Sequence, residues 1–333
     1  MKVWLPAIRG YSGSDVFTHR LAGALIRRGI TADITWFPTH YQWAPQVLAW
    51  RKAPAGVTLI HANAWHGLAF RRLQPLVLTE HQGVFGKNHR PYRSIAQEFV
   101  HTQVMRRYLT RSLALAAAVT AVSECSAAGL KDIGFTGTHI VPNFVDITRF
   151  SPGPAARSGT PFRLLFVGNF APLKGSEVLR TLMPRLGPSF ELHFTSGLKG
   201  IDAGRIADNM RCIGRLTDEV ALIEAYQACD AVIVPSYFEG FGYTALEGMA
   251  CGKPVVASSA GALPEVIADG VSGILCPPGD IEAFATACHR LAGDSLLRQR
   301  MGQAGRNIAV ERFSEQAVVP RYLEIYEHVL DAS

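Results

Sequence analysis

The sequence predicts an α/β protein with two domains, each built on a mostly parallel β-sheet. Its 333 residues, 48% of them hydrophobic, are enough for about two substantial cores. Short apolar runs alternate with amphipathic segments in both halves, which is typical of βαβ units. A connector dense in proline and glycine lies at residues 146–161, and it indicates the boundary between the two domains.

In the first half, apolar runs predict strands and a 3.6-residue periodicity predicts helices. The first helix, at 17–28, places Leu21, Ala24, Leu25 and Ile26 on an apolar face. The predicted strands are 2–6, 31–37, 57–60, 76–79 and 118–122, and a second, long helix covers 98–117.

The alternation restarts after the connector. Strands are predicted at 162–167, 190–195, 231–234 and 254–257, and helices at 176–184, 218–227, 244–250 and 281–291. In sheets of this kind, ligands bind beyond the carboxyl ends of the strands. Two such domains facing each other would have a substrate cleft between them.

Charge is distributed unevenly along the chain. The formal net charge is +6, but residues 1–150 carry 17 basic and 7 acidic residues, whereas residues 151–333 carry 16 and 20. A basic first half predicts an anionic partner, such as a membrane surface or a phosphate-bearing acceptor, although a solvated surface explains it equally well. No zinc-finger spacing, RNP motif or long basic run favours nucleic acid as the partner.

Cysteine usage and hydropathy predict a cytoplasmic protein. The six cysteines form no C-x-x-C pair and are typical of small buried residues in a reducing compartment. The apolar stretch 112–123 is too short to cross a bilayer, and the run 3–8 is too short for a signal-peptide core.

The most informative motif places Glu239 and Glu247 on either side of a glycine-containing turn that opens the helix predicted at 244–250. A helix start favours phosphate, whereas carboxylates are acceptors suited to hydroxyl groups. The combination indicates a nucleotide sugar, with hydroxyls at both ends and a diphosphate in the middle. The alternative is structural: Thr244 and Glu247 form a capping box, and Glu239 is an exposed loop acid.

Lys174 follows the strand at 162–167 and precedes the next helix. The segment is not a P-loop, because that motif needs glycine directly before the lysine and Leu173 stands there. Lys174 can still reach a diphosphate from a helix start, and such a charge-assisted hydrogen bond is worth about 1.5–3 kcal/mol. The alternative is an ordinary surface lysine.

Small residues follow the first strand, where Gly10 and Gly13 permit close backbone approach to a ligand. The third glycine of a dinucleotide fingerprint is missing, so a nicotinamide-dependent dehydrogenase is poorly supported. An ordinary tight turn remains the alternative.

Histidines cluster in the first half, at positions 61, 66, 81 and 89. His81 follows the strand at 76–79, so we expect its side chain to point into the cleft, whereas His61 and His66 fit buried structural roles better. No H-E-x-x-H spacing and no D-x-D pair suggests a metal, and Lys174 with a helix start can supply the positive field instead. We therefore expect no metal and no cofactor.

Together these motifs resemble the GT-B-fold retaining glycosyltransferases of family GT4. The resemblance is strongest from 213 to 291 and weaker over the whole chain. Beyond the E-x7-E pair, it rests on three further groups of residues, which are Gly261-x-x-Pro264-Glu265 with 252–257, Val141-Pro142-Asn143 before the connector, and Phe313-Ser314 near the end.

The resemblance implies two Rossmann-like domains facing each other across a cleft. Residues 1–155 would bind the acceptor, joined by a C-terminal helix at about 317–333, and residues 156–316 would bind the nucleotide sugar. The implied reaction transfers a hexosyl unit from a UDP- or GDP-sugar to a glycan, lipid-linked or small-molecule acceptor. The anomeric configuration is retained, and the leaving phosphate oxygen accepts the proton of the acceptor.

The resemblance also implies roles for individual residues. Glu239 would hold donor-sugar hydroxyls, Glu247 the ribose, and His81 the donor sugar, with His81, Glu239 and Lys174 as the catalytic set. The implied donor-binding residues are Gly13, Asn169, Lys174, Leu216, Glu239, Phe241, Gly242, Tyr243, Thr244 and Glu247.

Three positions depart from the family pattern. Asn169 stands where the family usually has a diphosphate-binding arginine, Ser12 replaces a glycine, and Phe144 replaces the glycine of an N-G-V-D run. Three alternatives stay open: a GT-B nucleotide-sugar epimerase, a phosphorylase, and a non-catalytic nucleotide-sugar binder.

A membrane hypothesis rests on the segment 98–115, where Arg106, Arg107 and Arg111 lie among apolar residues. Such a segment can lie on the inner face of an anionic membrane and would suit a lipid-linked acceptor. The alternative is a helix whose apolar face packs inside the protein.

Overall fold

The computed structural model describes residues 1–72, 74–83, 105–153, 159–196 and 206–333. The chain divides into two compact units, the first formed by Met1–Phe144 with Glu315–Ser333 and the second by Val145–Ser314. The sequence placed the boundary at 155, inside the connector. The structural division comes earlier because Val145 already pairs with Ser314 in a parallel bridge, so the second unit begins and ends at neighbouring residues.

The first unit contains a parallel sheet of six strands in the order β2-β1-β3-β4-β5-β6. This is a doubly wound arrangement whose strand order reverses between β1 and β3. The strands are β1 Lys2–Ile8, β2 Thr31–Phe37, β3 Leu59–Asn63, β4 Leu76–Glu80, β5 Ala118–Ala121 and β6 Thr138–Ile140. The helices are α1 Gly13–Arg27, α2 Arg106–Ala114 and α3 Glu124–Lys131, with 3-10 helices at Thr39–Gln42, Pro45–Trp50 and Ala64–Phe70.

The C-terminal helix, α10 Glu315–Asp331, belongs to this first unit. Its first residue, Glu315, accepts hydrogen bonds from the guanidinium groups of Arg27 and Arg28 at the end of α1. Further along, the Tyr326 hydroxyl bonds to the buried His61 ring on β3. A charged contact and a buried polar contact therefore hold the helix to the unit in which the chain began.

The second unit contains a parallel sheet in the order β12-β11-β10-β7-β8-β9, the doubly wound order of a dinucleotide-binding fold. Its strands are β7 Phe162–Phe166, β8 Phe190–Phe194, β9 Met210–Cys212, β10 Ala231–Val234, β11 Val255–Ser258 and β12 Gly273–Cys276. Its helices are α4 Ser176–Leu186, α5 Glu219–Ala228, α6 Tyr243–Ala250, α7 Leu263–Val266, α8 Ile281–Gly293 and α9 Ser295–Phe313, with a 3-10 turn at Pro172–Lys174.

The reversal of strand order in the second unit falls between β7 and β10, which are hydrogen-bonded neighbours. The loops after these two strands run to opposite sides, which leaves a crevice at their carboxyl ends. Strand β10 is continuously apolar, and β7 is apolar except for Arg163, because helices cover both faces of the sheet. The loop after β7 carries Lys174, and the loop after β10 carries Glu239.

The structure corrects two predictions that the sequence pattern made. Within the described residues, the long helix predicted at 98–117 extends over Arg106–Ala114, and its residues 98–104 lie outside the described part. Leu109 and Leu113 are buried in the core, so the apolar face of this helix packs inside, as the alternative proposed.

Four of the six cysteines are buried, but Cys212 is exposed, because it ends the edge strand β9.

No helix among the described residues combines the length and the apolar character needed to cross a bilayer.

Candidate functional site

A charged pair lies at the switch point of the second unit. The Lys174 ammonium donates to both carboxylate oxygens of Glu239, each at 2.8 Å, and the Ser236 hydroxyl donates to Oε1 at 2.7 Å. The Glu239 side chain is 15% exposed, so solvent screens the pair only partly. The sequence selected both residues separately and did not predict that they contact each other.

Two glycines fix the loops that carry this pair. Gly175 has a φ of +80°, and a Cβ there would lie 2.2 Å from the carbonyl oxygen of Pro235. Gly261 has a φ of +57°, and a Cβ there would lie 2.2 Å from the carbonyl oxygen of Glu239. Only glycine permits such close backbone approach. The loops after β7, β10 and β11 are therefore packed backbone against backbone around Glu239.

The helix start predicted to favour phosphate lies beside this pair. Helix α6 begins at Tyr243, and Gly242 precedes it with a φ of +106°. No side chain caps this end; the Thr244 hydroxyl donates instead to the carbonyl oxygen of Val167 at 3.1 Å. The capping-box alternative is therefore wrong, and the helix start keeps the positive end of its dipole beside Glu239.

Glu247 has different surroundings from Glu239. It lies within α6 with 5% of its surface exposed, and its Oε2 accepts a hydrogen bond from the Tyr226 hydroxyl at 2.9 Å. Burial and the neighbouring carboxylate raise the pKa of Tyr226 well above its ordinary value, so Tyr226 remains a hydrogen-bond donor. Tyr226 was not selected from the sequence, because nothing in its helix distinguishes it from a core residue.

The remaining predicted residues of the second unit follow three different strands, β7, β9 and β10. Asn169 is exposed and follows Gly168, whose backbone exchanges hydrogen bonds with the Thr195 hydroxyl. Phe241 is buried against Phe313, with ring centroids 5.7 Å apart. Leu216 is half-buried in the segment between β9 and α5. Phe241 thus acts first as a packing residue that fixes the turn before α6.

The first unit has a pocket at its own switch point, between β1 and β3. Gly13 is exposed as the first residue of α1, and Asp15 holds the preceding loop by accepting from the backbone N–H groups of Gly10 and Tyr11 at 3.1 and 2.9 Å. Polar lining residues include Ser14, Asp15, His61, Asn63, His66 and His81. Burial raises the pKa of Asp15, although the two N–H groups oppose the shift.

His81 lies directly after β4, as predicted, and lines this pocket. Its ring contacts the Phe17 ring edge-on, with centroids 4.8 Å apart, and its Nδ1 is buried without a partner among the described residues. Burial lowers the pKa of His81 to about 3, so the ring is neutral. A neutral imidazole with one unused nitrogen can donate to or accept from a sugar hydroxyl.

His61 has the structural role that the sequence favoured for it. Its Nε2 bonds to the Thr79 hydroxyl at 2.6 Å while its Nδ1 bonds to Tyr326, so both ring nitrogens are used. Burial lowers the pKa of His61 to about 3.

Glu80 is a residue that sequence reasoning missed. It is buried at the end of β4, and its Oε1 accepts from the backbone N–H groups of Gln82 and Gly83, each at 2.9 Å. The Trp65 indole donates to the same oxygen. Glu80 thereby fixes the turn that carries His81. An acidic residue directly before that histidine was the available signal.

Among the described ranges, no group of three or more His, Cys, Asp or Glu side chains is arranged to hold a metal ion.

Two doubly wound parallel sheets, one with a charged pair and a helix start at its switch point, define a protein of the GT-B fold class. A family model described as Glycosyl transferases group 1 matches residues 149–308, and one described as Glycosyltransferase Family 4 matches residues 15–149. The chain belongs to this family of glycosyltransferases, which confirms the predicted family.

Curated relatives agree with this assignment. The D-inositol 3-phosphate glycosyltransferase of Thermobifida fusca is 33% identical over 211 residues, which are 56% of this chain and 48% of the relative. The enzyme of the same name from Corynebacterium jeikeium is 36% identical over 217 residues, 57% of this chain and 52% of the relative. The chain therefore spans about half the length of the curated relatives it matches.

Solved structures share the fold over the full chain. Sucrose-phosphate synthase from Thermosynechococcus elongatus superposes with a TM-score of 0.83 at 22% identity and covers 100% of both chains. Anabaena Alr3699/HepE, solved in complex with UDP and glucose, gives 0.77 at 20% identity and covers 98% of this chain and 99% of the other. These similarities confirm the predicted GT-B fold.

Proposed function

We propose that this chain is a retaining glycosyltransferase that moves a hexosyl unit from a UDP- or GDP-sugar to a glycan, lipid-linked or small-molecule acceptor without a metal. The observation that carries the proposal is the Lys174–Glu239 pair beside the start of α6. Family membership supports the reaction class, and the complex of Alr3699/HepE with UDP and glucose supports the type of donor.

The pair explains how a carboxylate can lie beside a diphosphate. Lys174 neutralises Glu239, which reduces the repulsion that the carboxylate would exert on the phosphates. An ammonium group has three donors, of which two serve the Glu239 oxygens, so the third can donate to a phosphate oxygen. The Glu239 oxygens have lone pairs left to accept from the hydroxyls of the donor sugar.

The proposed catalysis relies on leaving-group stabilisation and positioning. Lys174 and the N–H groups of Phe241, Gly242, Tyr243 and Thr244 stabilise the charge that develops on the departing diphosphate. Glu239 positions the sugar. The acceptor oxygen bonds to the anomeric carbon as the bond to the leaving phosphate breaks, and a leaving phosphate oxygen takes the acceptor proton, so no protein base is invoked. This logic differs from glycoside hydrolysis, where one carboxyl group acts as the acid and a second acts as the base or the nucleophile.

Glu247 is proposed to hold the ribose. Each carboxylate oxygen accepts up to two hydrogen bonds, so Glu247 can serve Tyr226 and a ribose hydroxyl together. The Tyr226 hydroxyl fixes the carboxylate before the donor binds, which reduces the entropy lost on binding.

A thermal-shift screen of nucleotide sugars in EDTA tests the donor, because a ligand at 100 times its Kd adds about 2.7 kcal/mol of stability. We expect UDP- or GDP-sugars to raise the Tm and free sugars to leave it unchanged. NMR of the product then tests retention of the anomeric configuration. A donor that binds only when divalent metal is added would contradict the metal-independent proposal.

The alternatives predict other outcomes in the same reaction mixture. An epimerase converts the donor sugar with no acceptor present, and a phosphorylase requires inorganic phosphate. A non-catalytic binder, for which Asn169 is the motivating residue, shows a thermal shift but neither transfer nor hydrolysis when acceptors are supplied.

A further inference from the structure

Two tryptophans of the first unit are almost fully exposed. Trp43 is 87% exposed and Trp50 is 90% exposed, more than any other large hydrophobic side chain in the described part of the chain. Tryptophan is a residue that proteins normally bury at least in part, and a cluster of exposed apolar side chains indicates an interaction site.

The local helix geometry turns the Trp50 side chain outward together with Val47. Residues Pro45–Trp50 form a 3-10 helix, in which positions three apart lie on the same side. Pro45 and Leu48 form the row that is buried in the core, whereas Val47 and Trp50 form an exposed row. The helix therefore has two apolar rows, of which the protein core uses only one.

The exposed row sits on an ordered support. The Arg72 guanidinium donates to the carbonyl oxygens of Leu48 and Arg51, and the Gln42 amide donates to the carbonyl oxygen of Arg9 at 3.1 Å. Leu48 is fully buried. The tryptophans are thus presented by a segment that is tied to the rest of the unit on both sides.

Along the stretch of chain that carries the tryptophans, the charge has one sign. No aspartate or glutamate occurs anywhere from residue 34 to residue 79, whereas this stretch contains four basic residues. Arg51 and Lys52 directly follow the exposed row and are themselves exposed, as is Arg71. An apolar row followed along the chain by exposed basic residues is complementary to a surface that is apolar inside and negatively charged outside.

We propose that Trp43, Val47 and Trp50, here called the tryptophan face, dock on an anionic lipid bilayer together with Arg51 and Lys52. Indole rings prefer the boundary between headgroups and acyl chains, and basic residues beside them add attraction to anionic lipids. This surface is distinct from the segment 98–115, where Leu109 and Leu113 are buried and cannot enter a membrane. The proposal does not depend on the identity of the sugar donor.

Vesicle co-sedimentation tests the proposal, with phosphatidylcholine vesicles compared with vesicles that also contain phosphatidylglycerol. We expect the full chain to bind the anionic vesicles, and W43S/W50S to bind about tenfold less tightly or weaker. The matched control is L296S/V220S, which changes two exposed apolar residues of the second unit and should bind like the parent chain. R51Q/K52Q should lose the preference for anionic vesicles.

Tryptophan emission gives a second readout on the unmodified chain. We expect a blue shift on adding anionic vesicles and quenching by brominated acyl chains, because Trp43 and Trp50 leave water for lipid. Vesicle binding that W43S/W50S leaves unchanged, or absence of binding by the parent chain, would overturn the proposal. Binding of the tryptophan face to a soluble glycan or to a protein in place of vesicles would overturn it as well.

Discussion

The two units have similar doubly wound sheets, but their switch points carry different electrostatics. In the second unit, Lys174 and Glu239 pair beside a helix start. The carboxylate partly neutralises the positive field that the ammonium group and the helix dipole produce in the crevice. In the first unit, the pocket is lined by histidines that burial keeps neutral and by Asp15, whose pKa is raised by burial. The comparison teaches that one topology can place a charged pair at one switch point and buried neutral rings at the other.

Removing the charge of the second site should have the largest effect. We expect Lys174→Met to reduce transfer by about 10²–10³-fold, equivalent to about 2.7–4 kcal/mol, because the ammonium stabilises charge that develops on the leaving group. Initial rates with saturating donor measure this change. Lys131→Met, at an exposed position of the first unit, serves as the control. If Lys174→Met transferred sugar at the parent rate, the proposed electrostatic difference between the two sites would be contradicted.

The backbone contact that supports Glu239 should have the next largest effect. Gly175→Ala would place a Cβ 2.2 Å from the Pro235 carbonyl oxygen in addition to the strain of a positive φ. We expect it to lower the free energy of unfolding by about 2–5 kcal/mol, measured by urea denaturation. Gly270→Ala has a similar φ but open space around it, so it should lose only about 1–2 kcal/mol. Equal losses in the two variants would show that the contact is unimportant.

The buried neutral ring of His61 predicts that the stability of the protein depends on pH. The unfolded chain protonates His61 near the ordinary pKa of 6.5, whereas the folded protein resists protonation until about pH 3. The unfolded state therefore binds more protons than the folded state between pH 6.5 and about pH 3. Burial of neutral His61 consequently makes the free energy of unfolding fall as the pH drops below 6.5. The expected loss from this residue is about 1.4 kcal/mol per pH unit.

His61→Gln isolates that contribution, because an amide can still bond to Tyr326 and Thr79. Urea denaturation from pH 7 to pH 4 should give this variant a shallower pH dependence than the parent chain. The exposed His139→Gln should keep the parent dependence. Parallel curves for the parent and His61→Gln would contradict burial of a neutral ring.

The smallest effect is expected where the second site departs from its family. Asn169→Arg adds a cation at an exposed position after β7, and exposed ion pairs contribute less than about 1 kcal/mol. We expect the affinity for UDP or GDP to rise about two- to fivefold, measured by calorimetry at low salt. Weaker binding would show that Asn169 does not face the phosphates.

The sequence predicted those parts of the fold that have strong local patterns. The strands 31–37 and 231–234 match the structure. The run 231–234 is continuously apolar and buried, whereas in 31–37 the apolar residues Ala32, Ile34 and Trp36 alternate with polar ones, and both patterns specify strands. Strand β9 was missed because it has three residues, two of them exposed, and β12 was missed because it begins at Gly273. The boundary after Phe144 depends on the pairing of Val145 with Ser314, which no local pattern reveals.

The site was predicted as separate residues and not as an arrangement. Glu239 and Lys174 were selected for their chemistry, but they are 65 positions apart, and their contact depends on the fit of Gly175 against Pro235. Glu80 and Tyr226 were missed because each holds another site residue in place and carries no motif of its own. Tertiary packing determines these supporting contacts, so single-sequence patterns do not contain them.

Calorimetric titration of UDP and GDP in EDTA tests the central claim most directly, with the parent chain, Lys174→Met and Lys131→Met compared. The account predicts that at least one of the two nucleotides binds the parent chain and Lys131→Met equally well without metal. It predicts binding to Lys174→Met that is about tenfold weaker or more, because a charge-assisted hydrogen bond to phosphate is lost. Equal affinity for all three proteins, or binding that requires a divalent cation, would contradict it.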